Sequence, residues 1–128
     1  MKLLLDTHTL LWWWKDDPRL STRAAAAIAD EGNTVFVSAA SAWEIATKNR
    51  IGKLPGAETA VRKFNELVAA DSFLHLAVSY HHALIAGGFD IDHSDPFDRM
   101  LAAQSTIEGA TLVTDDDKMK LFRVKCLW

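Results

Sequence analysis

The sequence predicts an α/β fold in which a parallel β-sheet is covered by helices on both faces. Strand-like runs alternate with helix-like segments along the chain, and this alternation is typical of consecutive βαβ units. The chain has 128 residues, 49% of them apolar, with charges of both signs. That size and composition predict one globular domain, residues 1–128.

Five short segments rich in apolar or β-branched residues predict the strands of this sheet. Each is bounded by turn residues or by the start of a helical pattern. The predicted strands are Lys2–Asp6, Thr34–Ser38, Phe73–Val78, Ala110–Thr114 and Val124–Trp128.

The segments between the strands carry helical spacing together with helix-start and helix-stop residues. The predicted helices are Thr7–Trp14, Ser21–Asp30, Ala39–Arg50, Glu58–Ala70, Ser79–Ala86 and Pro96–Glu108, with one or two further turns at Asp116–Phe122. The predicted stops are Asp16-Asp17-Pro18, then Gly52 and Pro55, then Gly87-Gly88, and finally Gly109.

Composition argues against several classes of protein. The net charge of −3 argues against a broadly basic nucleic-acid-binding surface, although a local basic rim remains compatible with it. The single Cys126 excludes an intrachain disulfide framework and favours a reducing, cytoplasmic location. No stretch is apolar for long enough to predict a membrane span, and Asp6 interrupts the run Leu3–Leu5 that would otherwise resemble a signal peptide.

Four acidic residues, far apart in sequence, lie at the ends of predicted elements. Asp6 and Asp116 follow apolar strands, whereas Glu44 and Asp98 fall in the opening turns of predicted helices. Four acids at element ends suggest one converging acidic pocket. Asp6 and Asp116 lie by their position beyond the carboxyl ends of parallel strands, where ligands bind. Two carboxylates about 4 Å apart repel by roughly 4 kcal/mol at an effective dielectric near 20, so the pocket should raise their pKa values or recruit a cation.

The cation that such a pocket favours is Mg²⁺ or Mn²⁺. Both prefer oxygen ligands, and Mg²⁺ accepts one or two carboxylates together with waters and substrate phosphate oxygens. The pattern therefore predicts metal-assisted phosphodiester cleavage. No Ser-His-Asp pattern, Gly-rich phosphate loop or zinc-type spacing competes with it. The histidines form no ligand motif and are predicted to be structural or surface residues: His8, His75, His81, His82 and His93.

Asp6 and Glu44 also have purely structural interpretations. Asp6 could simply cap the helix that begins at Thr7. The residues Ser41–Glu44 match a capping box, but Ser38 caps the same helix equally well and would place Glu44 in its second turn. Glu44 also stands four residues before Lys48, which is a favourable helical pair.

The other two acids have structural alternatives of the same kind. Asp95 is a natural N-cap and Pro96 suits the first helical position, so Asp98 falls in the first turn, where the helix dipole favours an anion. The run Asp115-Asp116-Asp117 resembles a solvated charge cluster, and only its position directly after a predicted strand raises its interest.

Three adjacent tryptophans, Trp12-Trp13-Trp14, lie on the first predicted helix. Successive helical residues point about 100° apart, so the three rings span roughly 200° of the helix surface. A core face covers about half of that, and we therefore expect at least one ring to be exposed in a monomer. The alternative is that neighbouring helices bury all three. An exposed aromatic ring is typical of an interaction surface.

The chain resembles the PIN domain ribonucleases and, among them, the VapC-type toxins of type II toxin–antitoxin pairs. The resemblance covers nearly the whole chain and is carried by LLLDTHTLLWWW, DDPRLS, VFVSAASAWEIATKNRIGKL, HSDPFDRMLAAQSTIEGATLVTDDDKM and VKCLW. It implies a three-layer sandwich around a parallel sheet of four or five strands, and a divalent-metal-dependent endoribonuclease that uses Mg²⁺, with Mn²⁺ as a substitute.

The resemblance also implies roles for the acids. Asp6 and Asp98 would hold the main Mg²⁺, while Glu44 would complete the site directly or through water and orient the attacking water. Asp116 would support a second metal position, although Asp115 and Asp117 remain alternatives for this fourth acid. Thr7 and Thr114 would supply hydroxyls that orient acids or waters. Cleavage would leave a 5′-phosphate and a 3′-hydroxyl.

The implied partners are an RNA substrate and a cognate antitoxin protein, in a homodimer or a higher complex, with no membrane involved. Four basic residues are candidates for phosphate contacts, with solvated surface charges as the alternative: Lys48, Arg50, Lys53 and Arg99. Two other functions remain open. One is a PIN-fold nuclease or phosphatase outside any toxin pair, and the other is a non-catalytic binding module.

Overall fold

The computed structural model describes all 128 residues and contains one sheet of five strands. The strand order is β3-β2-β1-β4-β5, and every neighbouring pair is parallel. The strands are β1 (Lys2–Leu5), β2 (Thr34–Ser38), β3 (Leu74–Leu76), β4 (Thr111–Val113) and β5 (Cys126–Leu127). The predicted parallel α/β fold is confirmed.

Helices connect the strands and lie on both faces of the sheet. They are α1 (Thr7–Trp14), α2 (Thr22–Ala29), α3 (Ala39–Arg50), α4 (Glu58–Arg62), α5 (Phe64–Ala70), α6 (Tyr80–Gly88) and α7 (Pro96–Glu108), followed by a 3-10 helix, Asp117–Phe122. None of them is both long enough and apolar enough to span a lipid bilayer.

The central strand β1 explains the three layers. Side chains alternate between the two faces of a strand, and Leu3 and Leu5 belong to one apolar cluster whereas Leu4 belongs to the other. All three leucines are fully buried. The first cluster includes residues of α1, α2 and α3, and the second includes residues of α7 and the 3-10 helix. An apolar run without polar alternation is therefore the pattern of a strand covered on both faces.

The strands that carry the candidate site turn directly into helices. Asp6 follows β1 and caps α1, because its side chain accepts a hydrogen bond from the backbone N–H of His8. Ser38 is both the last residue of β2 and the N-cap of α3. These tight strand-to-helix junctions place the first turns of α1 and α3 at the carboxyl edge of the sheet.

Two helix predictions differ from the structure. The predicted helix Glu58–Ala70 is divided at Lys63 into α4 and α5; Val68 is fully buried, whereas Val61 is exposed. The pair Gly87-Gly88 was expected to stop a helix, but α6 runs through it and ends before Phe89. The side chain of Arg99 donates hydrogen bonds to carbonyls of this last turn, so acceptors that a helix end leaves free are satisfied.

Candidate functional site

The four predicted acids line one cleft of about 520 Å³ at the carboxyl edge of the sheet. Asp95, Asp115 and Asp117 line the same cleft, together with the basic side chains of Lys48 and Arg19. The fold therefore brings the four acids together in space, as expected. The catalytic and metal-binding roles of these acids stay predictions.

Asp6 lies at the base of the cleft and is only 8% exposed. Its Oδ1 caps α1, and its Oδ2 accepts a hydrogen bond of 2.6 Å from the hydroxyl of Thr114. Burial raises the pKa of Asp6, the Thr114 and His8 contacts oppose this rise, and the charge of Glu44 adds to it. Asp6 is thus a helix cap that also presents a destabilised negative charge to the cleft.

Glu44 lies in the second turn of α3, so the capping-box interpretation of Ser41–Glu44 is wrong. The N-cap is Ser38, whose hydroxyl accepts a hydrogen bond of 3.0 Å from the N–H of Ala40. Ser41 is inside the helix, and its hydroxyl accepts a hydrogen bond of 2.9 Å from Thr7. This bond ties α1 to α3 next to the acids, which is a positioning role for Thr7.

Glu44 is 4% exposed, and its carboxylate forms an ion pair with Lys48 one turn later. Burial lowers the pKa of Lys48, but the hydrogen bond and charge of Glu44, with the charges of Asp95 and Asp98, raise it more. Lys48 is therefore a cation held among the acids. This position suits the phosphate contact for which the sequence made it a candidate.

Asp98 lies in the first turn of α7, and Asp95 is the N-cap of that helix. The Asp95 carboxylate accepts hydrogen bonds from the N–H groups of Phe97 at 2.9 Å and Asp98 at 3.1 Å, as the Asp-Pro signature predicts. Burial raises the pKa of Asp98 to about 6, a hydrogen bond from His93 opposes this rise, and the charges of Asp95, Asp6 and Glu44 reinforce it.

The three consecutive aspartates differ in their surroundings. Asp116 is half-buried, whereas Asp115 and Asp117 are exposed. The Asp116 N–H donates to the hydroxyl of Thr114, and its side chain caps the 3-10 helix at Lys118. Because the same Thr114 hydroxyl binds Asp6, one threonine holds two cleft segments in register. This geometry favours Asp116 as the fourth acid.

The sequence did not predict several residues that line the cleft or contact its acids. His93, expected to be structural or at the surface, contacts Asp98 through Nε2 at 2.9 Å. His8, Trp12 and Arg19 line the cleft, and the Arg19 guanidinium lies 5.1 Å from the Trp12 ring centroid. The available signal was the position of Arg19 within the DDPRLS turn and the position of His93 two residues before DPFDR.

Three of the four candidate phosphate contacts lie outside the cleft or are already engaged. Arg50 and Lys53 are exposed and do not line the cleft. The guanidinium of Arg99 is directed to main-chain carbonyls. Lys48 remains the one that faces the acids.

The tryptophan prediction was also wrong in part. Trp12, Trp13 and Trp14 are all half-buried, and none is fully exposed. The indole N–H groups of Trp13 and Trp14 both donate to the same oxygen of Asp71, at 3.1 and 3.0 Å. This shared acceptor and the apolar cluster that they pack against hold the two rings in place. Trp12 instead lines the cleft.

The donor set suits a hard divalent cation. No three His, Cys, Asp or Glu side chains lie close enough together to form a complete protein-only metal site. Mg²⁺ does not require one, because it commonly takes one or two carboxylates and completes its shell with water and phosphate oxygens. The oxygens of the buried Asp6 and Glu44 and of the half-buried Asp98 fit that requirement. Burial raises the pKa values of Asp6 and Asp98, and the charges of neighbouring acids add to the rise.

The fold and the site thus define a parallel α/β protein with an acidic cleft at the carboxyl edge of its sheet. The chain matches the PIN domain model over residues 3–125 and belongs to the PIN domain family. PIN domains are generally nucleases, and they generally use divalent metal ions. No curated protein sequence matches the chain.

Solved structures with the same fold come from several organisms. VapBC2 from Rickettsia felis, bound to a DNA fragment from its promoter, has a TM-score of 0.69 at 19% identity, covering 99% of this chain and 98% of that one. FitAcB from Neisseria gonorrhoeae has a TM-score of 0.65 at 18% identity, with 98% and 96% covered. VapBC-1 from nontypeable Haemophilus influenzae has a TM-score of 0.64 at 18% identity, with 99% and 97% covered.

Proposed function

We propose that this chain is a divalent-metal-dependent endoribonuclease and the toxin of a type II toxin–antitoxin pair. The observation that carries the proposal is the meeting of Asp6, Glu44, Asp98 and Asp116 in one cleft of a PIN domain. The similarity in fold to the VapBC and FitAcB proteins over nearly the full chain supports the toxin assignment.

The proposed reaction is hydrolysis of an RNA phosphodiester to a 5′-phosphate and a 3′-hydroxyl. Asp6 and Asp98 would hold Mg²⁺, with Mn²⁺ as a substitute, Glu44 would complete the site directly or through water, and Asp116 would support a second position. Such an ion supplies charge stabilisation at the phosphate and acidifies water. Glu44 would orient the attacking water, and Lys48 beside it would contact a phosphate oxygen.

The charge of the cleft favours a bound cation, which can be a metal ion or a basic side chain of an inhibitor. Seven acids surround the cleft and only two side chains of permanent positive charge, Lys48 and Arg19, line it. Without a cation, the cleft would repel RNA. An Arg or Lys from an antitoxin tail would offset part of the negative charge and block the cleft. We propose that the antitoxin acts in this way, in a cytoplasmic complex built on a toxin homodimer or a higher assembly.

The experiment that tests the proposal is sequencing of the 5′ ends of cellular RNAs after brief induction of the chain. We expect new 5′-phosphate ends at a small set of sites, and none after induction of the matched Asp98→Asn variant. Identical end profiles for the two proteins would contradict the ribonuclease assignment.

The position of Trp12 gives a test of the antitoxin contact. Trp12 lines the cleft, whereas Trp43, at 64% exposed, is the most exposed tryptophan and lies outside it. We expect acrylamide to quench the free protein and an antitoxin in the cleft to protect part of that fluorescence. Trp12→Phe should remove the protectable part, and the control Trp43→Phe should leave it. Equal protection in both variants would place the antitoxin elsewhere.

A further inference from the structure

The guanidinium of Arg99 is surrounded by main-chain carbonyls. Arg99 lies on α7 directly after Asp98, but its side chain points into the segment Ala86–His93, which comprises the last turn of α6 and the start of the loop to α7. Nε donates to Ala86 at 2.8 Å, Nη1 to Ile91 at 3.1 Å and His93 at 3.0 Å, and Nη2 to Phe89 at 2.5 Å and Gly87 at 3.4 Å. These five contacts fold the segment around one side chain.

Only arginine can supply this set of contacts. A guanidinium carries five N–H donors in a rigid plane, whereas a lysine ammonium carries three on a flexible stem. The carbonyls come from the last turn of α6 and from an irregular loop, so secondary structure alone would not satisfy most of them. Arg99 therefore determines the path of the loop that precedes the cap of α7.

That loop ends by placing His93 against Asp98. The N–H of His93 donates to Ile91 at 2.9 Å, and its carbonyl accepts from Arg99. Its ring lies edge-on to Phe122, with centroids 5.5 Å apart and an interplanar angle of 90°. Nε2 then lies 2.9 Å from Oδ2 of Asp98. The ring is thus held by its own backbone on one side and by an aromatic face on the other.

We propose that Arg99 and His93 form a positioning relay for the cleft carboxylate of Asp98. Arg99 fixes the loop, the loop fixes the His93 ring, and the ring holds one oxygen of Asp98 so that the carboxylate has one orientation. The other oxygen, Oδ1, has no hydrogen-bond partner in the protein, and Asp98 lines the cleft. The inference rests on the proposed metal-dependent nuclease, in which Asp98 holds the ion.

The physical reason is preorganisation of a metal ligand. A carboxylate that is free to rotate loses that freedom when it binds a cation, whereas one already held by a hydrogen bond does not. Partners of metal ligands typically contribute about 10- to 100-fold in metal affinity. Arg99 and His93 are therefore positioning residues, and neither needs to touch RNA or the ion.

Calorimetric titration of Mn²⁺ into the full-length, metal-free protein tests the relay without any activity measurement. His93→Leu should weaken Mn²⁺ binding by about 10- to 100-fold. His93→Gln should restore most of it, because the Gln amide places an N–H donor near the position of Nε2. Arg99→Lys should weaken binding in the same direction, and Arg62→Lys, at an exposed arginine outside the cleft, should not.

The double variant distinguishes the relay from two independent effects. If Arg99 acts through His93, Arg99→Lys should add little to the loss already caused by His93→Leu. Full additivity, or unchanged Mn²⁺ affinity in His93→Leu, would overturn the relay. Electron spin echo spectra of bound Mn²⁺ give a further test. Coupling to a directly coordinated nitrogen of His93 would also overturn the relay, because the histidine would then be a ligand of the ion. If Arg99→Lys does not fold, the His93→Leu and His93→Gln pair still tests whether the His93 ring holds Asp98.

The wild-type titration separates the two levels of the argument. Absence of Mn²⁺ binding by the wild type would remove the proposed metal-dependent nuclease itself. Binding by the wild type that Asp98→Asn reduces but His93→Leu does not would leave the nuclease in place and remove only the relay.

Discussion

Asp6→Asn and Asp98→Asn are each expected to abolish RNA cleavage while leaving the protein folded. Each removes a carboxylate that we propose holds the metal, and loss of that charge stabilisation should cost about 4 kcal/mol, or roughly a thousandfold in rate. The α1 cap and the His93 contact survive, because the Asn carbonyl of the first variant still caps α1 and that of the second still accepts from His93. The amide nitrogen of the Asn side chain in the first variant donates, so it cannot accept the bond that the Thr114 hydroxyl gives to Oδ2 of Asp6. Cleavage of a fluorescent RNA and thermal unfolding of the same samples measure the two effects.

The metal-free Asp98→Asn protein should melt no lower than the wild type at neutral pH. The pKa of Asp98 in the folded protein is about 6, above its ordinary value of 3.8. Above pH 6 the wild type therefore carries a charge that folding disfavours, and the wild type should gain stability as pH falls from about 6 towards 4. The variant lacks this gain. A marked fall in the melting temperature of Asp98→Asn would show that the residue is mainly structural.

Two neighbouring acids serve as graded controls. Glu44→Gln should be nearly as severe as the first two variants, because Glu44 is buried in the cleft without capping any helix. Asp95→Asn should cost less activity, since Asn still caps α7. Equal losses at Asp95 and Asp98 would mean that the site is misplaced. Normal cleavage by Glu44→Gln would remove that residue from the proposed mechanism.

The sequence was most informative where short-range chemistry determines the structure. The bounds of α1, β2, α3 and α7 were predicted because Asp6, Ser38 and the Asp95-Pro96 pair mark helix starts locally. The positions of Asp6 and Asp116 followed from topology, since residues that follow parallel strands lie at one edge of the sheet. Assignment of the acids to one family signature came from the resemblance rather than from these physical patterns.

The sequence was least informative where distant groups decide the outcome. The continuation of α6 through Gly87-Gly88 coincides with the hydrogen bonds from Arg99, which lies twelve residues beyond the first of these glycines. The His93 contact to Asp98 requires the same loop to fold, and no spacing rule signals it. The break at Lys63 likewise accompanies the packing of Phe64 edge-on against Trp14, with ring centroids 5.2 Å apart. Such contacts override local propensity, and single-residue patterns do not reveal them.

Removal of divalent metal is expected to eliminate cleavage completely, and Mg²⁺ or Mn²⁺ should restore it. The physical reason is the concentration of charge at Asp6, Glu44 and Asp98, which protein cations only partly offset: Lys48 pairs with Glu44, while Asp6 is bonded to a neutral hydroxyl. A divalent ion relieves this repulsion, so it should also stabilise the fold, by about 2.7 kcal/mol when present at 100 times its Kd.

Both effects can be measured on one preparation treated with chelator and then titrated with Mg²⁺ or Mn²⁺. The melting temperature and the cleavage rate should rise together over the same metal concentrations in the wild type. The Asp6→Asn, Asp98→Asn double variant should show neither rise, because the proposed ligands of the main site are gone. Full cleavage in the presence of chelator would contradict a metal-dependent mechanism, and an equal rise in melting temperature for the double variant would place the ion outside this cleft.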